Sequence, residues 1–430
     1  MITMKLETVP ENQVDDDSQL LSRLFMQLEN DSSKSAINKY MDQVLFDTQN
    51  FLRKYVGHGI IRPEELAKMF TDTRIHKKSV MDSAADAIFD LIKNIAPYAV
   101  NVASPYYVGH MTSAIPNFMV QIKAIVTALN QNVVKLETSQ ILSYVEKQVL
   151  AKIHRLIYGF SQEFYDFHVQ NLHSALGCFT DGGTAANITA LWAARNSLLS
   201  SRDDFKGIEK QGISAAYRAY GIDRCVVLVS KLGHYSLRKA GGVLGIGNHN
   251  IIAIDVDDKN RIRMDRLYEK IKEIKQEGGR TRILAIVGIA GTTETGTVDP
   301  LAKLGDISAE YGVHFHVDAA WGGPTLMSEK YRHLLEGIEI ADSVTIDGHK
   351  QFYMPMSCGM VYFKEPFTMD NVAYQANYII RDRSGDLGIK SLSGSREANS
   401  LILDSALKIM GVRGYAVLIE HGIETARKFA

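Results

Sequence analysis

Hydrophobic residues recur at two different spacings along the chain, and the change comes near Thr180. Before that point the apolar positions follow a helical period, as in segment 33–55, where Ile37, Met41 and Leu45 share one side. Pro63, followed by two glutamates, is typical of a first helical turn. We therefore expect a mainly helical first hundred residues after a polar, acidic lead-in, with further helices over 79–95, 116–131 and 139–159.

After Thr180, short apolar runs alternate with amphipathic stretches. The runs predict buried strands at 225–230, 251–256, 283–289, 313–318, 343–346 and 359–363. The amphipathic stretches predict helices at 188–199, 264–276, 300–311, 396–410 and 414–430. Strands joined through helices form right-handed crossovers and a mostly parallel sheet covered on both faces. The fold class is therefore α/β, and ligands are expected beyond the carboxyl ends of the strands.

Charge and composition narrow the kind of partner. The 48 lysines and arginines nearly balance 49 aspartates and glutamates, so no basic field exists to attract nucleic acid or anionic lipid. The N-terminus lacks the features of a signal peptide, and no apolar run is long enough to span a membrane. Three scattered cysteines favour neither a disulfide framework nor a metal site, which fits a reducing cytoplasm. We expect a cytoplasmic protein that acts on a small molecule.

Two motifs at strand ends carry candidate chemistry. The first, Gly-Gly-Thr-Ala-Ala-Asn at 182–187, opens a helix, so its amides could hold a phosphate, although such a turn is often only structural. It lacks the lysine of a P-loop and the spacing of a dinucleotide site. The second contains Asp318, which could keep a pyridine nitrogen protonated or merely cap a turn. His314 and His316 lie on the same strand face, but no third ligand supports a metal, so hydrogen-bonding histidines are the preferred interpretation.

Two further motifs offer an amine and an imidazole. Lys350 follows an apolar strand, a setting in which desolvation favours a neutral amine that could form an imine, although most lysines are solvated surface residues. His234, at the end of another strand, could stack on a cofactor ring or simply occupy a turn.

Taken together and in order along the chain, these motifs resemble the group II pyridoxal-phosphate (PLP) decarboxylases. The matching residues are the Gly-Gly-Thr-Ala-Ala-Asn turn, His-Tyr-Ser at 234–236, Gly-Thr-Thr at 291–293, Val-Asp-Ala-Ala at 317–320 and Gly-His-Lys at 348–350. The segment 345–356 is most similar to bacterial PLP-dependent aspartate 1-decarboxylases, which are often called glutamate decarboxylase-like. Asp347 departs from many relatives, which carry Asn or Ser there. A carboxylate beside the phosphate would be unfavourable unless its side chain turns away, so we do not expect Asp347 to be a phosphate ligand.

The resemblance implies a role for each matching residue. Lys350 would hold PLP as an imine, Asp318 would pair with the ring nitrogen, and His234 would stack on the ring. The remaining cofactor contacts would come from Thr293 at the phenolic oxygen, from Gly183, Thr184 and His349 at the phosphate, and from Ala320. Tyr378, in a loop after the last strand, would donate a proton to Cα, although Tyr374 competes for this role and either tyrosine could instead pack a strand edge.

The resemblance also implies a fold and a reaction. The fold would be the aspartate aminotransferase-like fold type I of PLP enzymes. It would comprise a helical segment at 1–100, a large PLP-binding domain at 101–380 and the start of a small C-terminal domain at 381–430. We expect this last domain to be cut short, because no stop signal ends its last helix. We expect a homodimer that decarboxylates an acidic L-amino acid, aspartate to β-alanine or glutamate to 4-aminobutyrate, with Tyr107, His110 and partner residues around the substrate side chain. Diaminobutyrate decarboxylation, an aminotransferase, a carbon-carbon lyase and a non-catalytic PLP-binding homologue are the alternatives.

Overall fold

The computed structural model describes residues 62–77, 80, 84–104, 106–109, 111–374 and 385–429. The predicted helix at 33–55, His110 and Tyr378 lie outside these residues. The chain divides into two compact units between Ala114 and Ile115. The division at residues 100 and 380 suggested by the sequence stays a prediction.

The first unit contains short helical pieces. They are α1 (Pro63–Ala67) and α2 (Ala84–Asp90), the latter followed by a π-helical turn at Leu91–Ile95 and a 3-10 turn at Ala96–Tyr98. Within the predicted helix 79–95, the described residues from 84 onward are helical, and the hydrogen-bond pattern changes at Leu91–Ile95, before Pro97, which lacks an amide proton.

The second unit is built around a seven-stranded sheet with the order β1-β7-β6-β5-β4-β2-β3. Its strands are β1 (Gly177–Thr180), β2 (Arg224–Ser230), β3 (Ile251–Ile254), β4 (Thr281–Ile289), β5 (His314–Asp318), β6 (Ser343–Asp347) and β7 (Gly359–Phe363). Strand β7 runs antiparallel to β1 and β6, whereas the other pairs are parallel. The predicted mostly parallel sheet is confirmed.

The helices of this unit cover both faces of the sheet. They are α3 (Asn117–Leu129), α4 (Leu136–Ser139), α5 (Ile141–Tyr158), α6 (Gln162–His168), α7 (Gly183–Leu198), α8 (Ile208–Tyr220), α9 (Tyr235–Val243), α10 (Met264–Gln276), α11 (Leu301–Tyr311) and α12 (Asn399–Phe429). Short 3-10 turns lie at Asn248–Asn250, Gly323–Met327, Arg332–Leu335, Ile338–Ile340, Thr368–Val372 and Leu387–Lys390. Within α12, Gly411 has non-helical torsion angles, which explains why the sequence pattern indicated two helices there.

Alternation along the central strands builds a core on each face. In β2, Val226 and Leu228 pack into the cluster with α5, α10, α11 and α12, whereas Val227 and Val229 pack into the cluster with α7, α8 and α9. Because successive strand residues point to opposite faces, an all-apolar run is the pattern of a strand covered on both sides. Packing on both faces therefore holds the ends of the central strands, and the residues that follow them, in fixed positions. Within the described part of the chain, no helix combines the length and apolarity needed to cross a membrane.

Candidate active site

Lys350 lies in the turn directly after β6. Its ammonium nitrogen Nζ is 3.0 Å from Oδ2 of Asp347, the last residue of that strand, and the two side chains are 12% and 3% exposed. The turn needs a glycine between them, because a Cβ on Gly348 would lie 2.7 Å from the sulfur atoms of Cys358 and Met354. The apolar strand and this tight turn therefore place a lysine amine in a nearly closed environment.

His349 lies in the same turn and also approaches Asp347. Its Nδ1 is 2.7 Å from the carbonyl oxygen of Cys358, and its Nε2 is 3.7 Å from Oδ2 of Asp347. Nδ1 also accepts a hydrogen bond from the amide of Cys358 at 3.1 Å. These contacts hold the ring in place with Nε2 facing the Asp347 carboxylate.

The glycine-rich turn lies beside the end of β6. Gly182 has a φ of 151°, which suits glycine, and Gly183 begins α7. A Cβ on Gly183 would be 2.8 Å from Oδ2 of Asp347, so this carboxylate lies against the first turn of the helix. The Asp347 side chain therefore does not turn away from the predicted phosphate site. Its Oδ1 is buried and has no hydrogen-bond partner among the described residues.

Asp318 ends β5 and is only 6% exposed. Its Oδ1 accepts a hydrogen bond from the amide of Ala320 at 3.2 Å, and its Oδ2 accepts one from Nδ2 of Asn187 at 2.8 Å. Both oxygens of this buried carboxylate therefore have hydrogen-bond donors. Ala320 is itself buried in the turn that follows.

His234 is the residue before α9 and caps it. Its Nδ1 accepts from the amide of Ser236 at 3.3 Å and lies 2.9 Å from Oγ of Ser236. Burial lowers the pKa of His234; the charge of Asp318 opposes this effect, and that of Lys350 adds to it. The start of α7 connects the three strand ends. Gly183 lies against Asp347, the partner of Lys350, while Asn187 contacts both Asp318 and Ser236, the neighbour of His234.

The remaining predicted residues are more exposed or lie outside the described residues. Thr184 is half-buried in the first turn of α7, whereas Thr293 is exposed in the turn after β4. Tyr374 is 74% exposed, and Tyr378 and His110 lie outside the described residues. Tyr107 belongs to the first unit and is half-buried there.

The two strand histidines bind hydrogen-bond partners. Nε2 of His314 and Nδ1 of His316 lie 2.7 Å and 2.9 Å from the same hydroxyl, Oγ of Ser343. The interpretation of hydrogen-bonding histidines is confirmed. In the described ranges, no group of three or more His, Cys, Asp or Glu side chains is arranged to hold a metal ion.

Sequence reasoning missed one residue that joins the site together. Asn187, the last residue of the glycine-rich motif, contacts Asp318, Ser236 and His316. The available signal was its place one helical turn after Gly183, which turns its side chain toward the same end of the sheet.

These features fit PLP, whose aldehyde needs an amine, whose ring nitrogen needs an anion and whose phosphate needs backbone donors. Lys350 supplies a nearly buried amine, Asp318 a buried carboxylate, and the α7 N-terminus a glycine-lined cradle. The Asp347 carboxylate is the one feature that opposes phosphate binding, and Lys350 offsets part of its charge.

Comparison with known structures defines the class of fold. The crystal structure of mouse CSAD in apo form superposes with a TM-score of 0.77, covering 92% of this chain and 78% of that chain at 23% identity. The protein thus has the α/β architecture of fold type I PLP enzymes.

Comparison of sequences defines the family. Residues 63–430 match the pyridoxal-dependent decarboxylase conserved domain, and the chain belongs to that family of PLP-dependent carboxy-lyases. It is 45% identical over 400 residues to the aspartate 1-decarboxylase of Aliivibrio fischeri, covering 93% of this chain and 72% of that enzyme. It is 27% identical to the L-2,4-diaminobutyrate decarboxylase of Acinetobacter baumannii, covering 77% of this chain and 64% of that enzyme.

Proposed function

We propose that this protein decarboxylates an acidic L-amino acid, with aspartate as the first candidate, to yield β-alanine and carbon dioxide. The observation that carries the proposal is that the start of α7 contacts all three strand ends: Gly183 lies against Asp347, the partner of Lys350, and Asn187 bonds to Asp318 and to the Ser236 hydroxyl beside His234. The choice of aspartate is supported by the 45% identity to an aspartate 1-decarboxylase.

The chemistry divides between cofactor and chain. PLP, when bound, supplies the pyridine ring that accepts the electrons of the breaking bond to the carboxylate. Asp318 would hold a proton at the ring nitrogen, and two hydrogen bonds fix the position of its carboxylate. His234 would cover one ring face, and Lys350 would hold the aldehyde carbon. Gly183, Thr184 and His349 would contact the phosphate, Thr293 the phenolic oxygen, and Ala320 the turn beneath the ring.

The substrate and the assembly are part of the same proposal. Tyr378 would deliver the proton that replaces the carboxylate, and a homodimer would complete the site, as the family resemblance implies. The three free, buried cysteines support a reducing compartment such as the cytoplasm.

The deciding experiment is a panel of carboxyl-labelled aspartate, glutamate and 2,4-diaminobutyrate incubated with the PLP-loaded protein. We expect labelled carbon dioxide and β-alanine in equal amounts from aspartate, with Lys350→Ala as the inactive control. The second candidate substrate is 2,4-diaminobutyrate, because of the similarity to the Acinetobacter enzyme. Faster release of carbon dioxide from 2,4-diaminobutyrate than from aspartate would make it the proposed substrate. Formation of a keto acid without carbon dioxide would show that the protein is an aminotransferase and not a decarboxylase.

A further inference from the structure

A continuous line of hydrogen bonds runs beneath the site from β6 to Asp318. It begins where His316 and Ser343 are paired in the register of β5 and β6, with Oγ of Ser343 2.9 Å from Nδ1 of His316. Nε2 of His316 lies 3.0 Å from Oδ1 of Asn187, and Nδ2 of Asn187 lies 2.8 Å from Oδ2 of Asp318. Every side chain in this line is at least 94% buried.

The Asp318 end of this line determines which atom donates and which accepts in each hydrogen bond. The Asp318 carboxylate can only accept, so the Asn187 amide must present its NH2 group there and its oxygen to His316. Nε2 of His316 must then carry a proton and donate it to that oxygen. In a neutral ring, Nδ1 is left as an acceptor for the hydroxyl proton of Ser343. That hydroxyl oxygen in turn accepts from Nε2 of His314, at 2.7 Å.

The environment favours the neutral ring that this order requires. Burial lowers the pKa of His316 to about 4; the charge of Asp318 opposes that shift, and His314 adds to it. Of the two neutral tautomers, the one with its proton on Nε2 satisfies both Asn187 and Ser343.

The second N–H of Asn187 reaches the other side of the site. Its Nδ2 is also 3.0 Å from Oγ of Ser236, and that hydroxyl is 2.9 Å from Nδ1 of His234. Ser236 is fully buried, so its hydroxyl accepts from Asn187 and donates to His234. One amide therefore contacts the carboxylate directly and the capping imidazole through a single hydroxyl.

We propose that Asn187, oriented by His316 and Ser343, is the positioning residue that sets the Asp318 carboxylate and the His234 ring relative to each other. This inference rests on the proposed function, because it assigns Asp318 to the ring nitrogen of PLP. Asn187 touches neither cofactor nor substrate in this role. It acts by fixing which oxygen of Asp318 is occupied and by fixing the tautomer of His234, as outer hydrogen-bond partners do for histidine ligands of metals.

The first test uses the cofactor-free protein. With 15N-labelled histidine, the ring nitrogen shifts of His316 report its tautomer, and resonances are assigned by comparison with His316→Gln. We expect a neutral ring protonated at Nε2 from pH 5 to pH 8, and we expect Ser343→Ala to weaken that preference. A ring protonated at Nδ1, or a charged ring near neutral pH, would contradict the proposed bond order.

The second test follows the ring nitrogen of 15N-labelled PLP bound to the protein. In Asp318→Asn, the ring nitrogen should lose the 15N shift of its protonated form. In Asn187→Leu and His316→Phe, the shift should move part of the way toward the unprotonated value. Turnover of these two variants should fall roughly 10- to 100-fold, the range seen when outer partners of a ligand are removed. Asn196→Leu is the matched control, since it removes a buried amide from the same helix that donates instead to Glu209 and the carbonyl of Asn371.

The outcomes separate the two ideas. An unchanged shift in Asp318→Asn would remove Asp318 from the ring nitrogen, and the proposed role of that residue would fail. A changed shift in Asp318→Asn with wild-type shifts in Asn187→Leu and His316→Phe would overturn only the positioning role. If His316→Phe does not fold, Ser343→Ala carries the same comparison, because it removes only the hydroxyl that donates to Nδ1 of His316.

Discussion

Oδ2 of Asp347 lies 3.0 Å from Nζ of Lys350, so the candidate cofactor-binding amine is paired with a carboxylate from the end of its own strand. The same carboxylate lies against Gly183 at the start of α7, where the phosphate is expected. Burial raises the pKa of Asp347, and the charges of Lys350 and His349 oppose that shift. Because the Asp347 carboxyl group lies where the phosphate is expected, we expect cofactor binding to depend on whether Asp347 is protonated.

We predict that Asp347→Asn binds PLP more tightly than the wild type at neutral and alkaline pH. Above the raised pKa of Asp347 the wild type places an anion beside the phosphate, whereas below it the carboxyl is neutral and the two proteins resemble each other. The advantage of the variant should therefore be smallest in acid and grow as the pH rises. A factor of about ten, or ~1.4 kcal/mol, is what one screened charge pair would contribute.

Titration of PLP by absorbance between pH 5.5 and pH 8.5 measures this difference. Asp181→Asn is the matched control, because Asp181 is exposed and lies two residues before Gly183. Weaker binding by Asp347→Asn at every pH would show instead that the ion pair with Lys350 matters more than the repulsion.

Lys350→Ala should abolish the imine absorbance of the PLP-loaded protein and its turnover. Lys350 is the nearly buried amine of the turn after β6, and the other motifs of the site contribute no amine. Absorbance spectra before and after borohydride treatment, with mass analysis of the peptides, decide the point. A reducible adduct that persists in Lys350→Ala would move the attachment to another lysine.

Much of the fold follows from apolar runs and their spacing. The predicted strand at 359–363 coincides with β7, and the predicted helix at 264–276 coincides with α10, because each has strong periodicity and clear ends. Strand β1 was missed, since its four residues, Gly177–Thr180, are too short to stand out and gain their pairing only from β7. Tertiary pairing of this kind leaves little trace in a local pattern.

The site shows a similar division. Lys350, Asp318 and His234 were candidates because each ends or follows an apolar strand, where parallel sheets collect ligand-binding side chains. Their individual roles were predicted from the family resemblance. The roles of Asn187 and Ser343 could not be predicted, because their contacts depend on the register of β5 with β6 and on the approach of α7 to the sheet. The position of the Asp347 carboxylate likewise depends on how closely Gly183 approaches β6.

The buried His154 should make the protein sensitive to mild acid. Its Nε2 lies 3.0 Å from the carbonyl of Phe363 and its Nδ1 3.0 Å from the hydroxyl of Tyr165, and burial lowers its pKa to about 4. Below pH 6.5 the unfolded chain binds a proton that the folded chain refuses, so the free energy of unfolding should fall as the pH drops from 6.5 to 4. The loss from this one group would be about 3 kcal/mol.

Urea unfolding at pH 6.5, 5.5 and 4.5 tests that expectation. His154→Gln should be less stable at pH 6.5, because the aromatic and hydrogen-bond contacts of the ring are lost, but it should lose less stability on acidification. His249→Gln, at an exposed position, is the control and should retain the wild-type slope. Equal slopes for all three proteins would assign the acid sensitivity to other groups.

The last prediction concerns the proton that replaces the carboxylate at Cα. Tyr378 lies outside the described residues, and Tyr374, the competing candidate, is 74% exposed and donates its backbone amide to the carbonyl of Ile389. A phenol suits this step because one proton must reach one carbon faster than it reaches the cofactor. Tyr378→Phe should therefore still release carbon dioxide but convert part of its substrate to an aldehyde, leaving the amino group on the cofactor and inactivating the enzyme during turnover. The ratio of amine to aldehyde, measured by chromatography beside carbon dioxide release, reports this partition, and Tyr374→Phe is the matched control. If Tyr378→Phe keeps the wild-type ratio while Tyr374→Phe yields the aldehyde, the proton donor is Tyr374.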